Sequence, residues 1–245
     1  MPRGHQGASS RLITRKQLLA LLAITLMWGI NWPMMKFSLR EMTPLYFRAL
    51  TMSGGALGLF LFYRSRGLRM LPRGVEWRAV ITLGLPNVLG WHTASILGVK
   101  ELASGRAAIL GFTMPIWTVL LGTLFLGEKL TVWMLILTSL CLWVLAFVME
   151  PWPQWRFSVP MWGSLVYGAF INYGFAQIIW FGMARNLPPA TSAMSIMAVP
   201  LIGTLAATLI LGESPHWEDY VAMVCVMAAI SAVLLPSRTV RAAAP

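Results

Sequence analysis

Long apolar runs separated by short polar connections form the dominant pattern of this chain. A helix needs about 20 apolar residues to cross roughly 30 Å of hydrocarbon, and runs of that length recur along the whole sequence. The pattern therefore predicts an all-α fold, a polytopic membrane helix bundle of about eight transmembrane helices. The predicted spans cover residues 17–39, 45–63, 77–98, 104–126, 131–149, 160–183, 190–211 and 218–235.

A register of 85 residues relates two parts of the chain. The stretch "PIWTVLLGTLFLGE" at 115–128 returns as "PLIGTLAATLILGE" at 200–213, and in the same register Trp77 falls on Trp162. Recurrence of Trp, Asn, Pro and Gly-Glu at one shift is typical of an internal repeat. The third to fifth spans then match the sixth to eighth. Because three is an odd number of spans, the copies cross the membrane in opposite directions, which predicts an inverted-topology repeat.

The inverted repeat points to a transporter. In that architecture, substrate sites lie near the bilayer midplane, between halves that exchange inward-open and outward-open states. Together, the predicted spans and the register divide the chain into four parts: a basic N-terminal tail at 1–16, a first half of five spans at 17–149, a shortened second half of three spans at 150–236, and a tail at 237–245.

Composition supports the membrane assignment and excludes a soluble domain. Hydrophobic residues make up 58% of the chain and charged residues 11%, and the mean hydropathy is +0.70. The net charge of +11 lies in tails and short loops, so the lipid bilayer is the expected partner and nucleic acid is not. Lys and Arg concentrate in connections on the side of the N-terminus, which predicts that both termini are cytoplasmic.

Four motifs resemble those of the EamA type of the drug/metabolite transporter superfamily. "MWGINWPMMK" at 27–36 is similar to its Trp-Gly-x-Asn opening, "PLYFRAL" at 44–50 to its second helix, and the two stretches that end in Leu-Gly-Glu to its repeat core. The resemblance implies a multi-pass protein of the bacterial cytoplasmic (inner) membrane that exports or imports small metabolites. It also implies two inverted halves of five helices around a central cavity.

The chain departs from that pattern because only three spans follow Glu150. The cavity would lack walls on one side unless a second copy supplies them in a homodimer, or the remaining helices repack. The expected function is transport of small metabolites or amphipathic solutes by alternating access. A truncated relative that acts as a membrane partner or scaffold is the main alternative. A membrane-embedded lipid enzyme has less support, because the sequence shows no paired acid and base groups, no metal ligands and no nucleotide-binding loop; we expect no enzyme activity and no cofactor.

Polar and aromatic side chains within spans are the candidate substrate contacts, because such groups usually face a bundle interior or a water-filled cavity. The 85-residue register pairs Asn87 with Asn172 and His92 with Gln177, so both copies place polar groups at the same depths. Hydrogen bonding between helices would produce the same symmetry. The predicted substrate-binding residues are Trp28, Asn31, Arg48, Asn87, Trp91, His92, Asn172, Tyr173, Gln177 and Trp180.

Arg48 matches the arginine of the family's second helix. It either binds an anionic substrate group through two hydrogen bonds or extends to the membrane surface, and its place near the start of its span favours the second interpretation.

Two pairs of repeated residues have expected structural roles. Pro115 and Pro200 lie within spans, where each can kink its helix and act either as a hinge or as a fixed bend. Glu128 and Glu213 follow a glycine at the end of one span. We expect each to stabilise the N-terminal dipole of the helix that comes next, in preference to a role in gating.

Overall fold

The computed structural model describes residues 14–68, 74–113, 132–184 and 189–234. These residues are helical and contain no strand. The helices are α1 (Arg15–Ser38), α2 (Pro44–Ser65), α3 (Gly74–Leu83), the π-helix π1 (Gly84–Gly90), α4 (Trp91–Glu101), α5 (Ser104–Gly111), α6 (Val132–Met149), α7 (Val159–Val166), the π-helix π2 (Tyr167–Phe175), α8 (Ala176–Ala184), α9 (Pro189–Leu211) and α10 (Trp217–Leu234). The predicted all-α bundle is confirmed.

Each predicted span contains a described helical segment. The third span is the continuous run α3–π1–α4 and the sixth is α7–π2–α8. In the fourth, predicted as one helix over 104–126, the helix α5 ends at Gly111 and residues 112–113 form a turn; residues 114–131 lie outside the described ranges. By length and hydropathy, α1 and α2 each qualify on their own as membrane-spanning helices, and shorter apolar helical stretches lie at Ile136–Met149 and Ala198–Leu211. The π-helical interruptions explain why the third and sixth spans divide into shorter α-helices.

Hydrogen bonds between helix ends define one face of the bundle. Lys36, near the end of α1, donates from Nζ to three carbonyl oxygens at the end of α4, each 2.9 Å away. Glu41 accepts from the backbone N–H of Ser158 (2.7 Å) and from its hydroxyl, immediately before α7. Glu150, after α6, accepts from two backbone N–H groups at the start of α2. The ends of α1, α4 and α6 therefore meet the starts of α2 and α7 at this face, which we call the capped face.

Carboxylates at helix N-termini are stabilised by the helix dipole and by otherwise unpaired N–H groups. The hydrogen bonds from Ser158, first that of its hydroxyl and then that of its N–H, hold the pKa of Glu41 below its usual value. Glu41 belongs to the connection before α2 but caps α7, whereas Glu150 belongs to the connection before α7 but caps α2. Each of the two connections thus provides the carboxylate that caps the helix following the other connection.

The capped face also shows the direction of each repeat. The run α3–π1–α4 ends at this face and α7–π2–α8 begins there, so the two runs are oriented in opposite directions. The helix π1 ends at Gly90 and π2 ends at Phe175, 85 residues later, and α4 and α8 begin at the next residues. The inverted-topology repeat is therefore confirmed, and the two π-helices belong to it.

Glu213 caps a helix, but the predicted target was wrong. Its carboxylate accepts from the backbone N–H of Ser104 (2.9 Å), from the Ser104 hydroxyl (2.9 Å) and from the N–H of Gly105 (3.3 Å), at the start of α5. The helix that follows Glu213 is α10. Gly212 explains the difference, because its φ of 69° ends α9 in the left-handed conformation and turns the chain towards α5.

The helix α2 packs closely on π2 through glycines of the stretch "SGGALG" at residues 53–58. A Cβ built on Gly55 would overlap the Cβ of Tyr173 and lie 3.1 Å from the carbonyl oxygen of Ala169. A Cβ on Gly54 would lie 2.7 Å from the Cβ of Ala169, whereas one on Gly58 would be 3.7 Å from its nearest neighbour, the ring of Phe170. Glycine at 54 and 55 therefore permits the two backbones to approach each other.

The cap that Lys36 provides predicts a loss of stability in Lys36→Met. The substitution leaves three carbonyl oxygens at the end of α4 without their charged donor, so we expect the free energy of unfolding to fall by about 1–3 kcal/mol. Chemical denaturation of the purified protein in detergent measures the change. The matched control is Lys100→Met, because the Lys100 side chain is 57% exposed and lies 3.9 Å from Glu101. A similar fall in both variants would contradict a specific role for Lys36.

Candidate functional site

A buried arginine joins four helical segments within about one helical turn of the capped face. Arg48 lies one turn into α2 and only 2% of it is exposed. Its Nη1 donates to the hydroxyl of Tyr173 in π2. Its Nη2 donates to the Oγ of Ser95 in α4 at 3.0 Å and to the Sδ of Met35 in α1 at 2.9 Å. The prediction that Arg48 extends to the membrane surface is therefore wrong, because its side chain reaches into the bundle.

Tyr173 connects Arg48 to His92. The Nδ1 atom of His92 lies 3.0 Å from the hydroxyl oxygen of Tyr173, and the two rings are 5.2 Å apart. Because a guanidinium group only donates, the Tyr173 oxygen accepts from Arg48 and its own proton is left for Nδ1 of His92. Assigned in this way from the hydrogen-bond pattern, the bonds satisfy the hydroxyl of Tyr173 and the ring proton of His92 is on Nε2. We call Arg48, Met35, Ser95, His92 and Tyr173 the arginine cluster.

The guanidinium group of Arg48 has fewer acceptors than donors. Arginine carries five N–H groups, whereas the described hydrogen bonds supply one acceptor each from Tyr173, Ser95 and Met35. The Nε atom is buried and has no hydrogen-bond partner. Within the described ranges, no Asp or Glu forms an ion pair with Arg48. The arrangement therefore presents a buried positive charge and at least one free donor.

The other predicted site residues are divided between different surroundings. Asn172, which directly precedes Tyr173 in π2, is buried. Asn31, Trp91 and Gln177 are partly buried. Trp28 and Trp180 pack against each other, with ring centres 5.3 Å apart, in an apolar cluster with Leu21, Ile24 and Met183. The structure thus joins Arg48, His92 and Tyr173, and places Trp28 and Trp180 together elsewhere. Roles of all these residues in substrate binding stay predictions.

Some predicted positions fall outside the described residues. These are Pro115, Glu128 and the side chain of Asn87, whose backbone belongs to π1. Pro200 lies within α9, which continues past it to Leu211. Whether Pro200 acts as a hinge stays a prediction.

Sequence reasoning missed two members of the arginine cluster. Ser95 follows His92 by three residues, so helical periodicity places both on one face of α4. The contact between the sulfur of Met35 and Arg48 has no signal in the sequence. Tyr167 was also missed; its hydroxyl donates to the carbonyl oxygen of Met27 at 2.6 Å and ties π2 to α1.

A second polar group lies at the capped face, between α5 and α10. Arg106 donates from Nε to Oδ1 of Asp219 at 2.6 Å, and its Nη2 lies 2.9 Å from Nδ1 of His216. The backbone N–H of His216 donates to Oδ2 of Asp219 at 2.8 Å. With Glu213 these residues line a cavity of about 170 Å³. Because the charged groups satisfy one another, this group holds the two helices together at the capped face.

The fold and the arginine cluster define the class of protein. An all-helical membrane bundle built on an inverted repeat, with polar groups where the two copies meet, is the architecture of solute transporters. The sequence profile of the EamA-like transporter family matches residues 15–150 and again residues 132–235. The chain therefore belongs to the EamA-like transporter family and is an integral membrane protein.

Individual relatives agree with this assignment. The chain is 21% identical over 261 positions to the uncharacterized transporter YoaV of Bacillus subtilis (strain 168), covering 81% of this chain and 89% of YoaV. It is 29% identical to the uncharacterized transporter YvbV of the same organism, over 49% of this chain and 38% of YvbV. An uncharacterized transporter of Archaeoglobus fulgidus is 27% identical over 48% of this chain and 41% of that protein.

One solved crystal structure has a similar fold. It gives a TM-score of 0.59 at 16% identity, and the match covers 87% of this chain and 95% of the solved chain. At this identity the likeness concerns the fold alone.

The alignment with YoaV contains gaps in this chain. It has 261 positions, whereas 81% of this 245-residue chain is about 198 residues, so about 63 positions of YoaV have no counterpart here. Two spanning helices of about 20 residues each, with their connections, account for a difference of that size.

Proposed function

We propose that the protein transports small metabolites or amphipathic solutes across a bacterial cytoplasmic membrane by alternating access. The observation that carries the proposal is the pair of π-helices that end 85 residues apart and run in opposite directions. π-Helical turns occur frequently at functional sites because they leave the regular hydrogen-bond ladder. His92 comes immediately after Gly90 and Trp91, where π1 ends, and Tyr173 lies in π2, so the contact between these two side chains joins the copies.

The hydrogen bonds at the capped face define the closed state of that face in the proposed cycle. Glu41, Glu150, Glu213 and the ion pair between Arg106 and Asp219 hold the helix ends together there. In the proposed cycle these bonds break when the capped face opens to solute. With both termini in the cytoplasm, α1 ends at the periplasmic side, so the capped face is the periplasmic gate.

The total gap against YoaV has the length of two spanning helices with their connections, which is the shortfall that the proposed division into five spans at 17–149 and three at 150–236 implies. The same gap favours one second candidate function, a non-transporting relative that acts as a membrane partner. In the transporter proposal, a homodimer supplies the walls that the absent pair of helices would form.

Cross-linking of the capped face tests the proposal. Purified protein with Cys141→Ala, Cys225→Ala, Glu41→Cys and Ser158→Cys is reconstituted in liposomes and assayed for uptake of a panel of labelled metabolites. We expect uptake above that of empty liposomes, loss of uptake after treatment with a short bis-methanethiosulfonate, and recovery with dithiothreitol. The matched controls carry Cys141→Ala and Cys225→Ala with only one of the two introduced cysteines, Glu41→Cys or Ser158→Cys. Their uptake should be insensitive to the reagent.

Two results would contradict transport by alternating access. Uptake equal to that of empty liposomes across the panel would favour the non-transporting partner. Uptake that continues unchanged through the cross-linked protein would exclude opening of the capped face as part of the cycle.

A further inference from the structure

The arginine cluster has an uncompensated charge, which defines what it can bind. Burying a cation costs several kcal/mol unless a counter-charge or enough hydrogen-bond acceptors replace water. Arg48 is buried, yet its described partners are two hydroxyl oxygens and a thioether sulfur, all uncharged. The missing counter-charge therefore has to come from something that binds there.

The free donors indicate the shape of that ligand. In a guanidinium group, Nε–H and one Nη2–H point in the same direction and form one edge, which matches the two oxygens of a carboxylate. At this edge Nε has no partner, and Nη2 has two acceptors, Met35 Sδ and Ser95 Oγ. Thioether sulfur is a weak acceptor, and methionine is flexible. A carboxylate can thus replace Met35 on Nη2 and satisfy Nε at the same time.

The charge of the cluster limits the ligand to a monoanion. Arg48 supplies one full positive charge, and the other members whose side chains are described contribute hydroxyl, imidazole and thioether groups. A second phosphate charge would find no second cation among them. The ring of Tyr173 lies beside the guanidinium group, with the Arg48 Cζ 5.9 Å from its centre, and the ring of His92 packs against that of Tyr173. They present apolar surface to the rest of a small ligand.

We propose that the solute carried by this protein is a small monocarboxylate, whose carboxylate binds side-on to Nε and Nη2 of Arg48 in place of the sulfur of Met35. This inference rests on the proposed transport function and names its substrate class. Tyr173 and Ser95 hold the guanidinium group in position, and His92 fixes the orientation of Tyr173 through Nδ1.

Matched acids and amides test the inference. The thermal stability of the protein in detergent is measured at pH 7 with lactate against lactamide, benzoate against benzamide and phenylacetate against phenylacetamide. We expect at least one acid to raise the melting temperature in a concentration-dependent way and its amide to have no effect, because bound ligand stabilises by mass action. Arg48→Lys should weaken the acid's affinity by about tenfold or more, since lysine lacks the planar pair of donors. Arg40→Gln, which changes an exposed arginine near the capped face, should leave it unchanged.

Met35→Glu gives an independent test that keeps Arg48 in place. It puts a carboxylate beside the guanidinium group, so we expect a higher melting temperature than that of Met35→Gln and loss of stabilisation by added acids. A lower melting temperature for Met35→Glu than for Met35→Gln would overturn the inference, because the edge would then not accept a carboxylate.

The outcomes separate this inference from the transport function. Equal stabilisation by acids and amides, or uptake of uncharged solutes that Arg48→Gln does not alter, would overturn the carboxylate site and leave transport standing. Stabilisation by methylphosphonate or phosphate in place of the acids would overturn the carboxylate assignment. Uptake of none of the acids or amides, with no uptake across the wider panel, would contradict transport itself.

Discussion

Gly55→Ala should lower the free energy of unfolding by about 1–3 kcal/mol, although alanine is the better helix former. The new methyl group would overlap the Cβ of Tyr173 and press on the carbonyl oxygen of Ala169. Both belong to the π2 backbone or lie directly on it, so no flexible side-chain tip can move away. The helices α2 and π2 must separate, and the loss will appear in chemical denaturation of the purified protein in detergent.

The separation should also disturb the arginine cluster, because Gly55 packs on the same tyrosine that accepts from Arg48. Gly58→Ala is the matched control, since its new methyl group would lie 3.7 Å from the ring of Phe170, an ordinary contact. This variant should be as stable as the parent or more so. If Gly55→Ala were equally stable, the close approach of α2 and π2 would not exist in solution.

Those parts of the fold that depend on local pattern were predictable from the sequence. Outside the fourth predicted span, where α5 ends at Gly111, apolar runs long enough to span a bilayer located the described helices within a few residues, because hydrocarbon thickness fixes helix length. The repeat was visible because Trp, Asn and Pro recur at one shift, and these residues carry information that Leu and Ala do not. The π-helices were not predictable, because a one-residue widening of a helical turn leaves no periodic trace in so apolar a sequence.

The contacts between distant segments were not predictable. Arg48 lies one turn from a helix start, where local reasoning favours extension to the membrane surface, but its partner Tyr173 is 125 residues away. Glu213 was correctly expected to cap a helix because a glycine precedes it. Its partner Ser104 lies 109 residues earlier in the chain, and only tertiary packing brings the two together.

The caps at the capped face connect stability with the proposed transport cycle. Glu41 lies in the connection between α1 and α2 and binds the start of α7, whereas Glu150 lies in the connection between α6 and α7 and binds the start of α2. Neither set of hydrogen bonds can form unless both connections are in place, so the two caps form only when the whole capped face is assembled. Their strength must also be limited, because the same bonds break when the face opens.

Glu150→Ala should lower the free energy of unfolding by about 1–3 kcal/mol, because the backbone N–H groups of Leu45 and Tyr46 lose their acceptor. Both residues are at most 2% exposed, so water does not readily replace the carboxylate. Glu150→Gln keeps one oxygen acceptor but loses the charge that favours the α2 dipole, so its loss should be smaller.

Chemical denaturation in detergent measures both losses, with Glu101→Ala as the control. The Glu101 side chain is 73% exposed and lies 3.9 Å from Lys100, so its removal should change the free energy of unfolding by less than about 0.5 kcal/mol. If Glu150→Ala behaves like Glu101→Ala, the α2 cap contributes no stability and the capped face is held by its other bonds. If the free energy of unfolding is lowest for Glu150→Ala, intermediate for Glu150→Gln and highest for the parent, the carboxylate contributes both as an acceptor and as a charge. Breaking its hydrogen bonds is then a measurable free-energy cost of opening the capped face.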